Sequence, residues 1–309
     1  MGIFGCLFCF TDMGCFMTQS KQPPVLIVGY GKLAKHILPI LQGQGRQIYA
    51  LTRRTELAEE LSDSGITPLL ADLAVPASLD VLNTAHQEIY FLAPTTRDDV
   101  TDRHMRNFLN AIQGQGPKKI LYISTTAVYG NQHGDTVNEQ SPTEPSNDRG
   151  KRRLDAEQAL QKFAIENNLP VVILRVGGIY GPDRLPLRQL QSARPVLINE
   201  DSGYTNRIHV DDLANICVTA MERGEGIYNV SDGQPGTMAE YFITLAEALG
   251  YPIPERISLA EARKIMSPEM MSYLEESRRM DVSRLLEELG IELMYPDLAS
   301  GIEQIKKTT

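Results

Sequence analysis

The sequence predicts an α/β protein: a doubly wound parallel sheet with helices on both faces, followed by a smaller, mainly helical C-terminal lobe. Three observations carry that reading. Between residues 24 and 180, short unbroken apolar runs alternate with longer stretches of helical periodicity. Strands that are apolar on both faces belong to a sheet covered on both sides. A glycine turn links the first run to the first helix, where such sheets hold phosphate. After residue 180 prolines at 182, 186, 195, 235, 252, 254 and 268 break the rhythm, and helical patterns dominate beyond 237.

Val25–Val28 is a continuous apolar strand. In the helix after it, Leu33, Ile37 and Leu41 recur every four residues and make one buried face. Gln47–Leu51 is the second strand, and the next helix runs through Leu57 and Leu61 to a stop at Gly65. Thr67–Leu70, Ile89–Leu92, Ile120–Ile123 and Val171–Leu174 are four further strands, making six. Between them lie a helix opened by Pro76, one ending near Gly114, and one through Leu154, Leu160 and Phe163. The lobe beyond 180 is expected to cover the carboxyl ends of the strands, where open α/β sheets bind ligands.

The 309 residues are 42% hydrophobic and 22% charged, so a sizeable core forms and global disorder is excluded. Thirty Lys and Arg against thirty-nine Asp and Glu give a net charge of −9. That balance repels a phosphate backbone and argues against nucleic acid as the main partner. No 18-residue apolar run suggests a membrane span. Cysteines stand only at 6, 9, 15 and 217, which is no disulfide scaffold and fits a reducing, cytoplasmic setting. Residues 1–20 differ in composition from the rest. Their apolar run Ile3–Phe10 is too short to span a bilayer, and Cys6, Cys9 and Cys15 lack a fourth metal ligand nearby. They read as an unstructured extension without chemistry, and Met17 would make an ordinary start.

The turn Gly29-Tyr30-Gly31-Lys32-Leu33-Ala34 reads G-x-G-x-x-A in its required place between strand and helix. Gly29 allows the tight turn, Gly31 lets backbone approach a pyrophosphate, and Ala34 lets the helix pack on the sheet. This predicts a dinucleotide site. At the end of the second strand stand Thr52-Arg53-Arg54, where a carboxylate would take the ribose diol of NAD. Two guanidiniums suit a 2′-phosphate, so NADP is expected, with NAD the lesser alternative. Asp72 and Leu73 after the third strand, and Ala93 and Pro94 after the fourth, are the further cofactor contacts expected.

Three later runs complete a pattern: Ser124-Thr125-Thr126-Ala127-Val128-Tyr129-Gly130, Arg175-Val176-Gly177-Gly178-Ile179-Tyr180-Gly181-Pro182, and Asn206-Arg207-Ile208-His209-Val210-Asp211-Asp212. With them the chain resembles the extended short-chain dehydrogenase/reductases, the nucleotide-sugar epimerases and dehydratases, and among these the atypical NAD(P)-dependent epimerase/dehydratase-like branch. The resemblance spans about residues 24–304. It implies an NAD(P)-binding Rossmann domain over residues 21–180, to which 207–232 return, and a substrate lobe over 181–206 and 233–309. It also implies a polar small-molecule substrate, of nucleotide-sugar type in this group. A homodimer is the candidate assembly.

In the resembled family a Ser or Thr after strand five bonds the reacting oxygen, and a Tyr-x-x-x-Lys pair on the next helix moves the proton. The first position is Thr125, with Ser124 beside it. Matching Glu157 to the glutamate that follows the family's lysine puts Arg149 at the tyrosine and Arg153 at the lysine. No tyrosine lies between Tyr129 and Tyr180, and none of the twelve has Lys four residues on. Arginine stays protonated and cannot replace the phenol. Arg149 can clamp an anion or steady an oxyanion, and Arg153 can meet ribose hydroxyls. Asp148, His133 and His209 are weak candidates for the proton carrier, and His209 also fits a helix entry ahead of an Asp211 or Asp212 cap. Tyr129, Arg175, Tyr180 and Asn206 are the expected substrate contacts. Two readings stay open: an enzyme working without the dyad, and an NADP(H)-binding or redox-sensing protein that has lost hydride chemistry.

Overall fold

The computed structural model describes residues 22–308; the N-terminal extension with Cys6, Cys9 and Cys15 lies outside the described residues. A seven-stranded, wholly parallel sheet forms the frame. Its strands are β1 (Val25–Val28), β2 (Ile48–Thr52), β3 (Thr67–Leu70), β4 (Glu88–Phe91), β5 (Lys119–Thr125), β6 (Val171–Val176) and β7 (Gly226–Val230), in the order β7-β6-β5-β4-β1-β2-β3. The order reverses between β1 and β4, so the carboxyl ends of these two strands part and leave a crevice.

Alternation along each strand sends side chains to two cores. Val25 and Ile27 face α1 (Lys32–Gly43) and α2 (Thr55–Asp63), while Leu26 and Val28 face α3 (Arg103–Ala111) and α4 (Asp148–Asn167). On α1 the residues Leu33, Ile37 and Leu41 are buried, as their four-residue spacing requires. The first side also carries α5 (Val210–Arg223), which packs along α1 through apolar residues including Leu213 and Cys217.

The structure departs from the six-strand pattern at two points. The segment opened by Pro76 is a short 3₁₀ turn, Pro76–Val81, not an α-helix; Leu79 is its buried residue, and Leu82, just past its end, is buried too. A seventh strand, β7, joins the sheet edge against β6, although fifty residues separate them in sequence.

Beyond β6 the chain makes two-residue and three-residue strand pairs instead of a second sheet. Gly178–Tyr180 pairs with Arg207–His209, Tyr204–Thr205 with Gly236–Thr237, and Val196–Leu197 with Arg256–Ile257. The helices Met238–Leu249, Pro268–Leu274 and Leu298–Thr308 pack around them on small cores of their own. No helix among the described residues is long and apolar enough to cross a membrane.

Candidate functional site

Two clefts open side by side at the carboxyl ends of the strands. The first, of about 430 Å³, is lined by Gly29 and Tyr30 after β1, Arg53 and Arg54 after β2, Asp72 and Leu73 after β3, and Ala93 and Pro94 after β4. Gly29 has φ +96°, and a Cβ there would stand 2.6 Å from the Ala93 backbone, so the crevice is this narrow only because residue 29 is glycine. At Gly31 a Cβ would meet nothing within 4 Å: the space beside it is open. Gly31 caps α1 with no side-chain hydrogen bond, so the first N–H groups of the helix point outward uncommitted, a fit for a pyrophosphate. Lys32 leaves the helix to donate to the Asp183 carbonyl, and Leu33 and Ala34 are buried beneath the turn.

Arg53 and Arg54 both stand exposed at the mouth of this cleft. The Arg53 guanidinium, 74% exposed, lies 3.5 Å from the Asp72 carboxylate, so Asp72 faces an arginine at the rim. His104, at the start of α3, completes the wall and bonds the Pro94 carbonyl at 2.9 Å. Sequence reasoning missed it; its one signal is the Asp102 cap that places it in the first helical turn.

The second cleft, of about 370 Å³, lies beyond β5 and under the lobe. Thr125, half-buried at the end of β5, lines it. Its Oγ1 accepts a 3.4 Å bond from the Ala127 N–H, which leaves its O–H proton to donate. Arg149, in the first turn of α4, lines the same cleft, and its guanidinium lies over the Tyr273 ring, 3.8 Å from the centroid. Among the described residues Arg149 makes no ion pair, and burial lowers its affinity for its proton.

Two further arginines that sequence reasoning passed over face this space. Arg207 is buried, donates to Thr205 Oγ1 and lies 4.1 Å over the Tyr241 ring, with no carboxylate paired to it among the described residues. Burial pulls its pKa below the usual guanidinium range. Arg278 donates to the Gly130 carbonyl at 2.7 Å and to Glu276 at 2.8 Å. Three guanidiniums thus line the cleft against the single carboxylate of Glu276, which already accepts from Ser146, Asn147 and Arg278. Arg207 sits in the Asn-Arg-Ile-His run, so its signal was present; Arg278 and Tyr273 come from a helical tail with none.

The other predicted residues divide. Tyr180 lines the cleft, but its phenol donates to the Asp297 carbonyl at 3.2 Å. Asn206 also lines it, while its amide group clamps the backbone of Arg278 and Met280. Ser124, Tyr129 and Arg175 do not line either cleft. They are buried in a network in which Ser124 donates to Glu157, Arg175 pairs with Glu157 at 2.8 Å and with the Tyr129 phenol at 3.0 Å, and Tyr129 donates to Asn229. Arg153 lines neither cleft: its Nη1 donates to the Tyr122 phenol and the Ile123 carbonyl. Of the candidate proton carriers, Asp148 pairs with Lys151 on the surface, His133 is exposed, and His209 is buried as the cap of α5, accepting from the Asp211 N–H. The cap is thus His209 itself. Asp211 instead binds His36 at 2.6 Å, and Asp212 accepts from the Met294 and Tyr295 N–H groups.

Comparison with known proteins places these clefts in a context. Residues 25–231 match the model of the NAD dependent epimerase/dehydratase family. The chain is 27% identical over 290 residues to Protein YeeZ of Escherichia coli, covering 88% of this chain and 96% of that one. A functionally unknown conserved protein from Silicibacter pomeroyi superposes with a TM-score of 0.78 at 30% identity, over 93% of this chain and 99% of the other. The UDP-glucose 4-epimerase of Thermus thermophilus, in complex with NAD, shares the fold with a TM-score of 0.74 at 21% identity, over 93% of this chain and 100% of its own.

Proposed function

The chain belongs to the NAD-dependent epimerase/dehydratase family, and on that premise we propose that it is an NADP(H)-binding oxidoreductase of epimerase/dehydratase type acting on an anionic small molecule. The observation that carries this reading is the meeting of Thr125 with three guanidiniums in one cleft, next to a second cleft rimmed by Arg53 and Arg54. β4 and β5 are neighbours in the sheet, so a cofactor lying across the first cleft extends toward Thr125.

The Gly29–Ala34 turn and the free end of α1 hold the pyrophosphate, and Arg53 and Arg54 take the 2′-phosphate. A nicotinamide cofactor held by these residues would supply hydride-transfer chemistry at a substrate carbon. Thr125 donates a hydrogen bond to the oxygen on that carbon and orients it, keeping its own proton. Arg149 and Arg207 supply positive charge to an anionic group, and Arg149 steadies negative charge that grows on the oxygen; being permanently protonated, neither carries the proton. Arg153, held by the Tyr122 phenol and the Ile123 carbonyl, lines neither cleft and has no part in this reading. The relatives named for UDP-glucose make a phosphate the natural anionic group.

The arginines at 149 and 153 favour a second reading, in which NADP(H) binds and no hydride moves. One experiment separates the two. NADPH and NADH are titrated into the protein, and reduced-nicotinamide absorbance is then followed with nucleotide sugars and phosphorylated carbonyl compounds. Tighter NADPH binding, with turnover that Thr125→Ala and Arg149→Ala abolish, supports the enzyme. Binding without turnover across the panel selects the second reading. Absence of dinucleotide binding overturns both.

A further inference from the structure

Next to the cationic cleft lies a third chamber, of about 210 Å³, built wholly from the lobe. Val196, Leu197, Phe242, Met266, Met270 and Leu274 form half of its wall, and Pro195, Met238 and Ala239 add to its apolar lining. Apart from the Tyr273 phenol, its polar lining side chains are Gln189 and the exposed Arg194. Methionines fill irregular space and adapt to what enters, so this wall suits an apolar group without demanding one shape.

Met238 and Tyr273 belong to the walls of both the chamber and the cationic cleft. Each carries a guanidinium on its cleft side. Arg149 lies over the Tyr273 ring, and Arg207 Nη2 lies 3.7 Å from the Met238 sulfur. The two shared residues therefore face positive charge on the cleft side and, apart from Gln189 and Arg194 at the chamber's edge, aliphatic carbon and sulfur on the other.

We propose that the substrate is an amphiphilic anion: its charged head rests on Arg149 and Arg207, and an apolar ring or chain of about six carbons fills the chamber. This rests on the reading of the cationic cleft as the substrate site. The size agrees, since a cavity of about 150 Å³ lined by apolar side chains holds a benzene ring. The chemistry selects against a sugar or nucleobase in the chamber. Their buried hydroxyl and amide groups would find few partners there and would lose those they had in water.

The test measures binding of methyl phosphate, butyl phosphate, hexyl phosphate and uridine 5′-phosphate to the full chain by calorimetry, with NADP titrated in parallel. Affinity should rise by about fourfold per added methylene, the ratio expected when each methylene leaves water. Hexyl phosphate should then bind at least about a hundredfold more tightly than methyl phosphate. Met270→Trp, which fills the chamber, should cut that advantage below about tenfold and leave NADP affinity unchanged; Met266→Trp serves if the first variant melts early. Equal affinity along the alkyl series overturns the inference, as does uridine 5′-phosphate binding more tightly than hexyl phosphate. An unchanged advantage in a folded Met270→Trp protein does so too. If the alkyl series is flat while NADP binds, the chamber assignment alone falls. If the series rises while NADP fails to bind, the oxidoreductase reading falls instead.

Discussion

Two glycines two residues apart do different work. A side chain at Gly29 would collide with the Ala93 backbone and force a left-handed φ on an L-residue, whereas one at Gly31 would enter open space at an ordinary φ of −112°. Gly29→Val should therefore destabilise or unfold the protein. Gly31→Val should keep the wild-type melting temperature and lose dinucleotide binding in a fluorescence titration; a folded Gly31→Val protein that still binds would misplace the cofactor turn. At the rim, replacing Arg53 and Arg54 together with alanine should weaken NADP binding by about 2–4 kcal/mol, less than two fully buried charged hydrogen bonds because both side chains are exposed, and leave NAD nearly unchanged. Equal losses for both cofactors would give the arginines another role. Asp232 behaves differently again. Burial lifts its pKa from 3.8 to about 6, against the opposing pull of the Gln234 N–H and Arg207. The folded state then binds more protons than the unfolded one between about pH 4 and pH 6, so stability falls as pH rises through that window. Asp232→Asn, which still accepts from Gln234, should raise stability at pH 8 by at most about 3 kcal/mol and change it little near pH 4, as measured by thermal melts at both pH values.

The elements β5, β6, β7 and α4 are locked together by the buried chain Ser124–Glu157–Arg175–Tyr129–Asn229. Arg175 and Glu157 are both almost free of solvent, so each is satisfied only by the other and its neighbours. Removing one partner strands the other: Arg175→Met should cost about 3–5 kcal/mol in urea unfolding, and adding Glu157→Gln should recover more than half. A cost below 1 kcal/mol for the single variant would mean that Glu157 finds another partner or takes up a proton. Here sequence and structure part company. Ser124, Tyr129 and Arg175 carry the family resemblance as strongly as Thr125 does, yet adjacent residues on a strand point to opposite faces. Thr125 faces the cleft and Ser124 the interior, a one-residue distinction that the motif alone does not express.

Across the whole molecule, the sheet meets the lobe at Tyr180, whose ring packs against His209 and Tyr241 and whose phenol reaches the Asp297 carbonyl just before the last helix. A Cβ at Gly301 would clash with the phenol end of that ring, 2.6 Å from Tyr180 Cε2. Gly301→Leu should therefore loosen the lobe, lowering stability by about 1–3 kcal/mol and weakening anion binding while NADP binding persists; unchanged melting and anion affinity would show that the junction does not hold the lobe. The parallel sheet, its first six strands and the glycine turn between β1 and α1 are legible in the chain alone, because they follow from local matters: apolar runs, helical spacing, and glycines between strand and helix. The tertiary structure alone decided which charges share a space. Arg149, Arg207 and Arg278 lie up to 129 residues apart, 278 − 149, and meet beside Thr125 only because α4, the returning strand Arg207–His209 and the lobe close on the end of β5. The Met270 chamber arises the same way, from contacts between distant segments that no local pattern encodes, whereas the family resemblance already returns residues 207–232, with the seventh strand, to the sheet domain.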